Sequence, residues 1–226
     1  MSTEKLLRTP EPELMDSAAQ VDAYASADFS ASNQWFVDQL LQRFEPRPDH
    51  GDLVDLGCGP GDICIRLACA LHGWQVEGVD AGSNMLATAR RAVERSELQR
   101  RIRFRMARLP DPELDRQRFD CVVSNSLLHH LPEPDTLWQS VRQVAAPGAW
   151  IQVMDLDRPE SADQADALVG LHAAGEPEVL KTDFRNSLHA AWRVDEVRRQ
   201  LEHAGLPLAC ESVSDRHWLV SGRLPE

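Results

Sequence analysis

A short glycine-rich segment, Gly57-Cys58-Gly59-Pro60-Gly61, constrains the fold of this chain more than any other feature. It follows an apolar run that ends at Leu56 and precedes an amphipathic stretch that begins at Ile63. Glycine permits a sharp turn and lets a ligand approach the main chain closely. The helix that follows directs bare N–H groups and the positive end of its dipole at the same corner. The segment therefore predicts a strand, a turn and a helix that bind part of a nucleotide-like cofactor.

A second acidic position lies near this corner. Residues 76–80 read as a strand that ends at Asp80, about 20 residues past the turn, where a carboxylate reaches the hydroxyl pair of a ribose. The glycine spacing departs from the dinucleotide pattern G-x-G-x-x-G, because the third glycine comes one position early and Asp62 stands where that pattern has Gly or Ala. Asp55 and Asp62 would also repel a pyrophosphate. An adenosine that carries an amino-acid cation suits the corner better.

Strands and helices alternate through the middle of the chain. Apolar runs and turn signals predict strands at 52–56, 74–79, 101–106, 119–124 and 149–155, and helices at 61–72, 83–97 and 134–146. Repeated strand–helix units with buried strands indicate a parallel α/β sheet with helices on both faces. A last predicted helix, 193–205, precedes strands at 207–214 and 216–222. The gap between these two strands is too short for a crossover, so they are expected to form an antiparallel hairpin.

The 226 residues suit one domain with two additions. Residues 1–48 are expected to form a tail and an N-terminal helical cap, because apolar residues recur at helical spacing from Ser17 to Phe44. Residues 156–192 are expected to form a helical insert with helices at 161–174 and 177–191.

Composition and charge restrict the classes of molecule that this protein is expected to bind. The formal net charge of −12 argues against a nucleic-acid partner, which requires clustered cations, and favours a small-molecule acceptor. No apolar run approaches the ~20 residues of a membrane span, and the N-terminus lacks an apolar signal core, so we expect a cytoplasmic protein without a membrane partner. The five cysteines contain no C-x-x-C pair. We therefore expect free thiols and no metal site.

Four segments resemble the class I S-adenosylmethionine-dependent methyltransferases, and the subgroup is similar to the ubiquinone/menaquinone-type and small-molecule enzymes. The matching segments are 54–61, 78–86, 119–131 and 146–151. The resemblance implies a Rossmann-like, seven-stranded, mostly parallel sheet in the order 3-2-1-4-5-7-6, with the last strand antiparallel. It also implies S-adenosyl-L-methionine as co-substrate, and it implies that the insert and the N-terminal helices cover the acceptor pocket.

Cofactor contacts follow from the same resemblance. The predicted cofactor-binding residues are Asp55, Gly57, Cys58, Gly59, Gly61, Asp80, Ala81, Met85, Ala107, Asn125 and His130. One departure is Met106, which stands where many relatives carry an acid that meets the adenine amino group. Adenine is therefore expected to be held by packing and by backbone groups.

Methyl transfer depends mainly on alignment of donor and acceptor, and a general base is required only when the acceptor is protonated at the working pH. The candidate catalytic residues are His129, His130 and His189, and further candidate bases are Asp155 and Asp183. One of the paired histidines can instead serve as a hydrogen-bonding strut under the cofactor.

Two stripes lie on adjoining faces of the helix predicted at 177–191. The first is apolar and predicts core: Phe184, Leu188 and Ala191. The second mixes a cation, a titratable ring and a large aromatic: Arg185, His189 and Trp192. This second stripe either lines an acceptor pocket or forms a solvated boundary in which Arg185 pairs with an acid. Elsewhere, Tyr24 either closes over the cofactor or anchors the first helix, and Arg216-His217 are expected to be part of a turn.

The leading hypothesis is methyl transfer to a small molecule by in-line displacement, at an oxygen, nitrogen, sulfur or carbon atom. A nicotinamide-dependent oxidoreductase is the first alternative, although the glycine spacing and Asp62 disfavour it. A non-catalytic cofactor-binding subunit is the second alternative. The assembly expected for any of these is a monomer or a homodimer.

Overall fold

The computed structural model describes residues 5–11, 29–114 and 118–226, and a seven-stranded sheet lies at its centre. The strands are β1 (Gly51–Leu56), β2 (Trp74–Asp80), β3 (Ile102–Met106), β4 (Phe119–Asn125), β5 (Ala145–Leu156), β6 (Ala209–Ser212) and β7 (His217–Arg223). Their spatial order is β3-β2-β1-β4-β5-β7-β6. Neighbours from β3 to β5 are parallel, and β7 is antiparallel to both β5 and β6. The predicted α/β fold, strand order and antiparallel last strand are confirmed.

Seven α-helices flank the sheet within the described residues. They are α1 (Ser30–Arg43), α2 (Asp62–Ala70), α3 (Ser83–Arg95), α4 (Asp135–Val144), α5 (Ala162–His172), α6 (Glu178–Ala190) and α7 (Val194–Ala204). The first part of the predicted cap, including Tyr24, lies outside the described residues. None of the helices in the described ranges combines the length and the apolar character that a membrane span requires.

One strand begins earlier than its sequence pattern predicts. The sequence predicts β5 from residue 149, but the strand starts at Ala145, which pairs with Phe119 before the register shifts. Gly148 adopts φ +72°, and its N–H donates to the carbonyl of Pro225. The Pro147-Gly148 pair therefore forms an irregularity inside the strand rather than a turn in front of it, because the C-terminal residues supply hydrogen-bond partners that local sequence does not reveal.

Alternate residues of β1 enter opposite cores, as the period of two in a strand requires. Leu53 packs with α1, α2 and α3 on one face of the sheet, whereas Val54 and Leu56 pack with α4 and α7 on the other. Helix α1 contributes Phe36, whose carbonyl accepts a hydrogen bond from the buried amide of Gln152. The N-terminal cap is thus attached to the sheet beside the carboxyl ends of the strands.

The basic run on β3 is neutralised by its neighbour on β2. Arg103 and Arg105 both form ion pairs of 2.8 Å with Glu77, a carboxylate that is almost completely buried. Arg101 instead donates to backbone carbonyls at the end of α2, including that of Leu71. These arginines therefore stabilise the sheet edge.

The N-terminal segment (residues 5–11) lies against the insert. Its backbone N–H groups at Leu6 and Thr9 donate to the carbonyls of Glu160 and His189 at 2.8 and 3.0 Å. Arg8 donates to the carbonyl of Ala190 at 2.7 Å, and its guanidinium lies 4.0 Å from the centre of the Trp192 ring. These contacts place the segment, and Glu11 at its end, next to the carboxyl ends of β4 and β5.

Candidate functional site

The glycine turn after β1 is built from three left-handed backbone positions. Gly57, Gly59 and Gly61 have φ of +76°, +52° and +82°. A Cβ on Gly57 would lie 2.9 Å from the Leu127 side chain, whereas a Cβ on Gly59 would meet nothing within 4 Å. The turn thus needs glycine for its conformation, and open space lies in front of Gly59.

Asp80 fastens the turn to the end of β2. One carboxylate oxygen accepts the N–H of Gly59 at 2.8 Å, and the other accepts the N–H of Gly82 at 2.7 Å. The carboxylate therefore faces the glycine corner, as the sequence predicts. Each oxygen of an ionised carboxylate has further acceptor capacity, so Asp80 can also accept hydrogen bonds from a ligand.

Asp55 is a buried acid beside the same corner. Its side chain is 1% exposed, and it accepts a weak hydrogen bond from the Cys64 thiol at 3.3 Å. Burial raises the pKa of Asp55 to about 7, and the nearby charge of Asp80 adds to the rise. A carboxylate without a cationic partner is costly in such a place, so a cation in the adjacent cavity would stabilise it.

These groups line one cavity, which we call the cofactor cavity. Every predicted cofactor-binding residue except Gly61 lines it: Asp55, Gly57, Cys58, Gly59, Asp80, Ala81, Met85, Ala107, Asn125 and His130. Gly61 lies outside the wall because it precedes α2 and packs inward, where a Cβ would come within 3.0 Å of Ala89 and Phe104. Met106 is 64% exposed, and the wall continues instead through Ala107, Arg108 and Leu109.

A second cavity, which we call the acceptor cavity, adjoins the first. Four residues belong to both walls: Asn33, Asn125, Ser126 and His130. The rest of its wall is mixed. Seven residues are apolar: Phe29, Ala31, Met154, Leu156, Ala173, Leu180 and Phe184. Eight are polar or titratable: Ser32, His129, His172, Glu176, Asp183, Ser187, Arg216 and His217. Ser126, where the two cavities meet, adopts φ +56°, an uncommon conformation for a residue other than glycine.

The paired histidines lie at the rim of the acceptor cavity in an acidic environment. His129 is buried, its Nδ1 lies 2.5 Å from Asp155 Oδ1, and its backbone N–H donates to the other oxygen of Asp155. Its Nε2 lies 3.4 Å from Glu11 Oε1, which is also 3.2 Å from Nδ1 of His130. Ser187 donates to the same Glu11 oxygen at 3.1 Å.

Electrostatics couple these groups. Burial alone would lower the pKa of His129, but attraction to Asp155, the hydrogen bond between them, and the charge of Glu11 raise it above its ordinary value. Burial alone would raise the pKa of Asp155, but His129 holds it below its ordinary value. Burial raises the pKa of Glu11. The two acids therefore favour the protonated form of His129 against the opposing effect of burial.

The third candidate catalytic residue is placed elsewhere. His189 lines neither cavity, and its carbonyl binds the N-terminal segment. Its predicted partners in the same stripe are also engaged away from the cavities: Arg185 pairs with Asp166, and Trp192 lies under Arg8. Arg185 thus agrees with the solvated-boundary interpretation, whereas Trp192 packs against the core. The apolar stripe packs in the third core cluster, within the insert.

Several residues of the acceptor cavity carry no sequence signal that identifies them. Arg216 and His217, which the sequence assigns to a turn, both line the cavity, and Arg216 contacts His172 at 2.9 Å. Burial lowers the pKa of His217 to about 4, so its ring is neutral. Asp183, a candidate base from the sequence, does line the cavity, and its buried Oδ2 has no hydrogen-bond partner among the described residues.

The sequence is similar to known methyltransferases. Residues 53–148 match the family described as "Methyltransferase domain". The chain is 30% identical over 109 residues to a 2-phytyl-1,4-naphtoquinone methyltransferase of Trichormus variabilis, which covers 48% of each protein. It is 27% identical over 180 residues to a 2-heptyl-1-hydroxyquinolin-4(1H)-one methyltransferase of Mycobacteroides abscessus, which covers 76% of this chain and 74% of that protein. The chain thus spans about half the length of the first relative.

Solved structures show the same fold. A SAM-dependent methyltransferase from Aquifex aeolicus superimposes with a TM-score of 0.70 at 17% identity, over 93% of this chain and all of that one. The plantazolicin methyltransferase BpumL, solved in complex with SAH, superimposes with a TM-score of 0.63 at 13% identity, over 90% and 94% of the two chains.

Proposed function

We propose that this protein transfers a methyl group from S-adenosyl-L-methionine to a small-molecule acceptor, because residues 53–148 match the family described as "Methyltransferase domain" and the two cavities adjoin. The observation that carries the proposal is the shared wall of the two cavities. Asn33, Asn125, Ser126 and His130 face both. A donor held in one cavity and an acceptor held in the other would therefore meet at this boundary.

The residues of the cofactor cavity fit such a donor. Asp80 lies where it can accept from ribose hydroxyls while it holds the turn through Gly59 and Gly82. Asp55 is a buried acid that an ammonium group would stabilise. Asn125 has a buried amide oxygen without a hydrogen-bond partner among the described residues, so the boundary offers an acceptor that a ligand donor can satisfy.

The chain's own contribution to the reaction is alignment. The co-substrate supplies an activated methyl group, and the surrounding residues bind, orient and desolvate the two reactants. Well-oriented reactants can account for roughly 7–11 kcal/mol of a barrier. Asp155 and Glu11 raise the pKa of His129, and its Nδ1 is engaged by Asp155, so we assign this residue to positioning and assign no proton abstraction to it.

The wall of the acceptor cavity fits a compound with an apolar body. Met154, Leu156 and Phe184 provide apolar surface, and Asp183 and Arg216 provide polar groups in the same wall. Two relatives carry names that specify ring acceptors, a naphthoquinone and a hydroxyquinolinone. We therefore propose an apolar ring compound as the acceptor class.

The two alternatives receive no comparable support. The family match and both relatives described above are methyltransferases, and none is an oxidoreductase. A non-catalytic subunit would need a cofactor cavity alone, whereas this chain also has an adjoining second cavity.

The experiment has two parts. Titration calorimetry should detect binding of S-adenosylmethionine and S-adenosylhomocysteine, and release of S-adenosylhomocysteine across a panel of hydroxylated quinones and quinolones should detect turnover. Asp80→Ala should weaken binding on the order of 100-fold, because it removes two charge-assisted hydrogen bonds of the turn as well as ligand contacts.

Asp120→Ala is the matched control. Asp120 also accepts a backbone N–H, that of Asp52, but it does so at the opposite end of the sheet. Cofactor affinity should be unchanged in this variant. Absence of binding in the wild-type protein, or equal losses in both variants, would contradict the proposal.

A further inference from the structure

Three side chains from two distant parts of the sequence converge beside the acceptor cavity. Glu11, His129 and His130 each present one ligand atom, and these three atoms all lie within 4.8 Å of one another. We propose that they form a binding site for a divalent first-row transition-metal ion, with zinc as the reference ion. Metal binding at this site does not require methyl transfer, so it can be tested separately.

Two of the three ligand separations match a tetrahedral ion, and the third, between the two histidine nitrogens, lies within 4.8 Å. Glu11 Oε1 lies 3.4 Å from Nε2 of His129 and 3.2 Å from Nδ1 of His130. Two ligands bound to zinc at about 2.0–2.1 Å with a tetrahedral angle between them lie roughly 3.3–3.4 Å apart. The observed distances are close to this value, so small side-chain movements would bring both pairs into ligation distance.

The ligand types also suit such an ion. Two histidines and one carboxylate form the protein part of many zinc sites with an open position, and imidazole and carboxylate ligands accept several first-row metals. The side chains of Glu11, His129 and His130 are 10%, 3% and 15% exposed. Bulk water is thus largely excluded, as in a site that holds its ion firmly.

Neighbouring groups orient two of the ligands. Asp155 binds Nδ1 of His129 at 2.5 Å, which leaves Nε2 of the same ring directed at Glu11. Ser187 donates to the Glu11 oxygen that faces both rings. In metal sites, a ligating histidine usually donates its other ring N–H to a carboxylate, and a ligating carboxylate usually accepts a further hydrogen bond. Asp155 and Ser187 would have these two roles here.

The position of Glu11 is itself constrained. Arg8 donates to the carbonyls of Ala190 and His129, and Thr9 donates to the carbonyl of His189. These bonds fix the chain three and two residues before Glu11. The N-terminal segment therefore positions Glu11 beside the two histidines that follow β4 and beside Ser187 of α6.

The fourth position would face the acceptor cavity. His129, His130 and Ser187 line that cavity, so an ion among them would have its open side toward it. Water or an anionic oxygen is the ligand class expected there. In the absence of an ion, a proton on His129 between Asp155 and Glu11 can satisfy the same cluster, and metal and proton would compete for Nε2.

The test measures metal content and coordination directly. Tag-free protein is stripped with a chelator, incubated with zinc, desalted and analysed for bound metal, and cobalt substitution reports coordination from its visible absorption. We expect one ion per chain and a tetrahedral cobalt spectrum without a thiolate charge-transfer band. Glu11→Gln and His130→Gln should weaken zinc binding by about 100-fold or more, because even a residue that only supports a ligand is worth about 10- to 100-fold.

His172→Gln is the matched control, since His172 lines the same cavity but pairs with Asp215. It should retain the wild-type zinc affinity. Circular dichroism and the melting temperature show whether each variant is folded, and zinc should raise the melting temperature of the wild type and the control only. No retained ion in the wild type, unchanged affinity in both ligand variants, or a thiolate band that assigns the ion to cysteine would overturn the proposal.

Discussion

The cofactor cavity and the acceptor cavity are built in different ways. The cofactor cavity is formed mainly by backbone turns at the ends of β1 and β2, where Gly57, Gly59 and Asp80 lie within one continuous stretch of the sequence. The acceptor cavity is formed by side chains from α1, β4, β5, α5, α6 and the β7 hairpin. The comparison teaches that the first depends on backbone conformation, whereas the second depends on the volume and charge of individual side chains.

The largest expected effect tests whether the cofactor cavity depends on backbone conformation. Gly57→Val should lower S-adenosylhomocysteine affinity by about 100-fold or more, because a left-handed conformation at a β-branched residue costs about 1–3 kcal/mol and the new Cβ would collide with Leu127. Titration calorimetry measures the affinity. Gly175→Val is the control, since a Cβ there meets nothing within 4 Å. Equal affinities in the two variants would show that the turn does not bind the cofactor.

The next largest effect tests whether the acceptor cavity depends on the volume of its side chains. Leu180→Trp should lower kcat/KM for the acceptor by about 10- to 200-fold, because added bulk in an apolar pocket excludes substrate. Cofactor affinity should stay within twofold of the wild-type value. Val179→Trp, at the adjoining exposed position of α6, should leave both parameters unchanged. A loss of cofactor affinity in Leu180→Trp would contradict the separation of the two cavities.

A smaller effect concerns pH and Asp55. With a pKa of about 7, Asp55 is partly protonated near neutrality, and a bound ammonium should hold it ionised. Cofactor affinity should therefore rise by about tenfold from pH 6 to pH 8. The Cys64 thiol and the Asp80 carboxylate also face this acid, so the slope is to be compared with that of Asp55→Asn, which should be flat.

The raised pKa of Asp55 also predicts how the stability of the fold changes with pH. The folded-state pKa of Asp55 lies above its ordinary value of 3.8, so the folded state binds the proton more strongly than the unfolded state does. The resulting stabilisation is fully present below about pH 4 and is lost as the pH rises through about 7. Urea unfolding of the wild type and Asp55→Asn across this range measures it. A wild type that gains stability relative to Asp55→Asn as the pH rises would refute the shift.

The smallest effect concerns the anchor of the N-terminal segment. Arg8→Ala should lower the free energy of unfolding by about 1–3 kcal/mol, because the carbonyls of Ala190 and His129 lose a donor and Trp192 loses its cation. Cofactor affinity should not change, since Arg8 is absent from the cofactor wall. Arg199→Ala, an exposed arginine paired with Asp195, should have almost no effect. Equal destabilisation by the two variants would show that the segment is not firmly bound.

The same contrast explains what the sequence could predict. The strand order and most of the cofactor wall were predictable because the corner residues follow strand ends directly, so one local pattern specifies both conformation and position. Gly61 was predicted to contact the cofactor from its place in that pattern, yet it packs against Ala89 and Phe104. A glycine spacing does not say which glycine faces the ligand and which one permits close packing.

The acceptor side was much less predictable. Glu11, His172 and Arg216 lie in separate segments whose local patterns resemble an ordinary tail, a helix end and a turn. Only tertiary packing brings them near the ends of β4 and β5. The expectation of no metal site came from cysteine spacing, which cannot detect ligands more than a hundred positions apart.

The shared wall has a consequence for laboratory evolution of new acceptor preferences. Asn125 and His130 line both cavities, so on the proposed function a substitution at either position would alter donor and acceptor binding together. On the same proposal, mutant libraries that randomise the insert and the hairpin instead would change acceptor selectivity and leave binding of the methyl donor unchanged. The most productive route to altered chemistry therefore begins at the positions that lie farthest from the glycine corner.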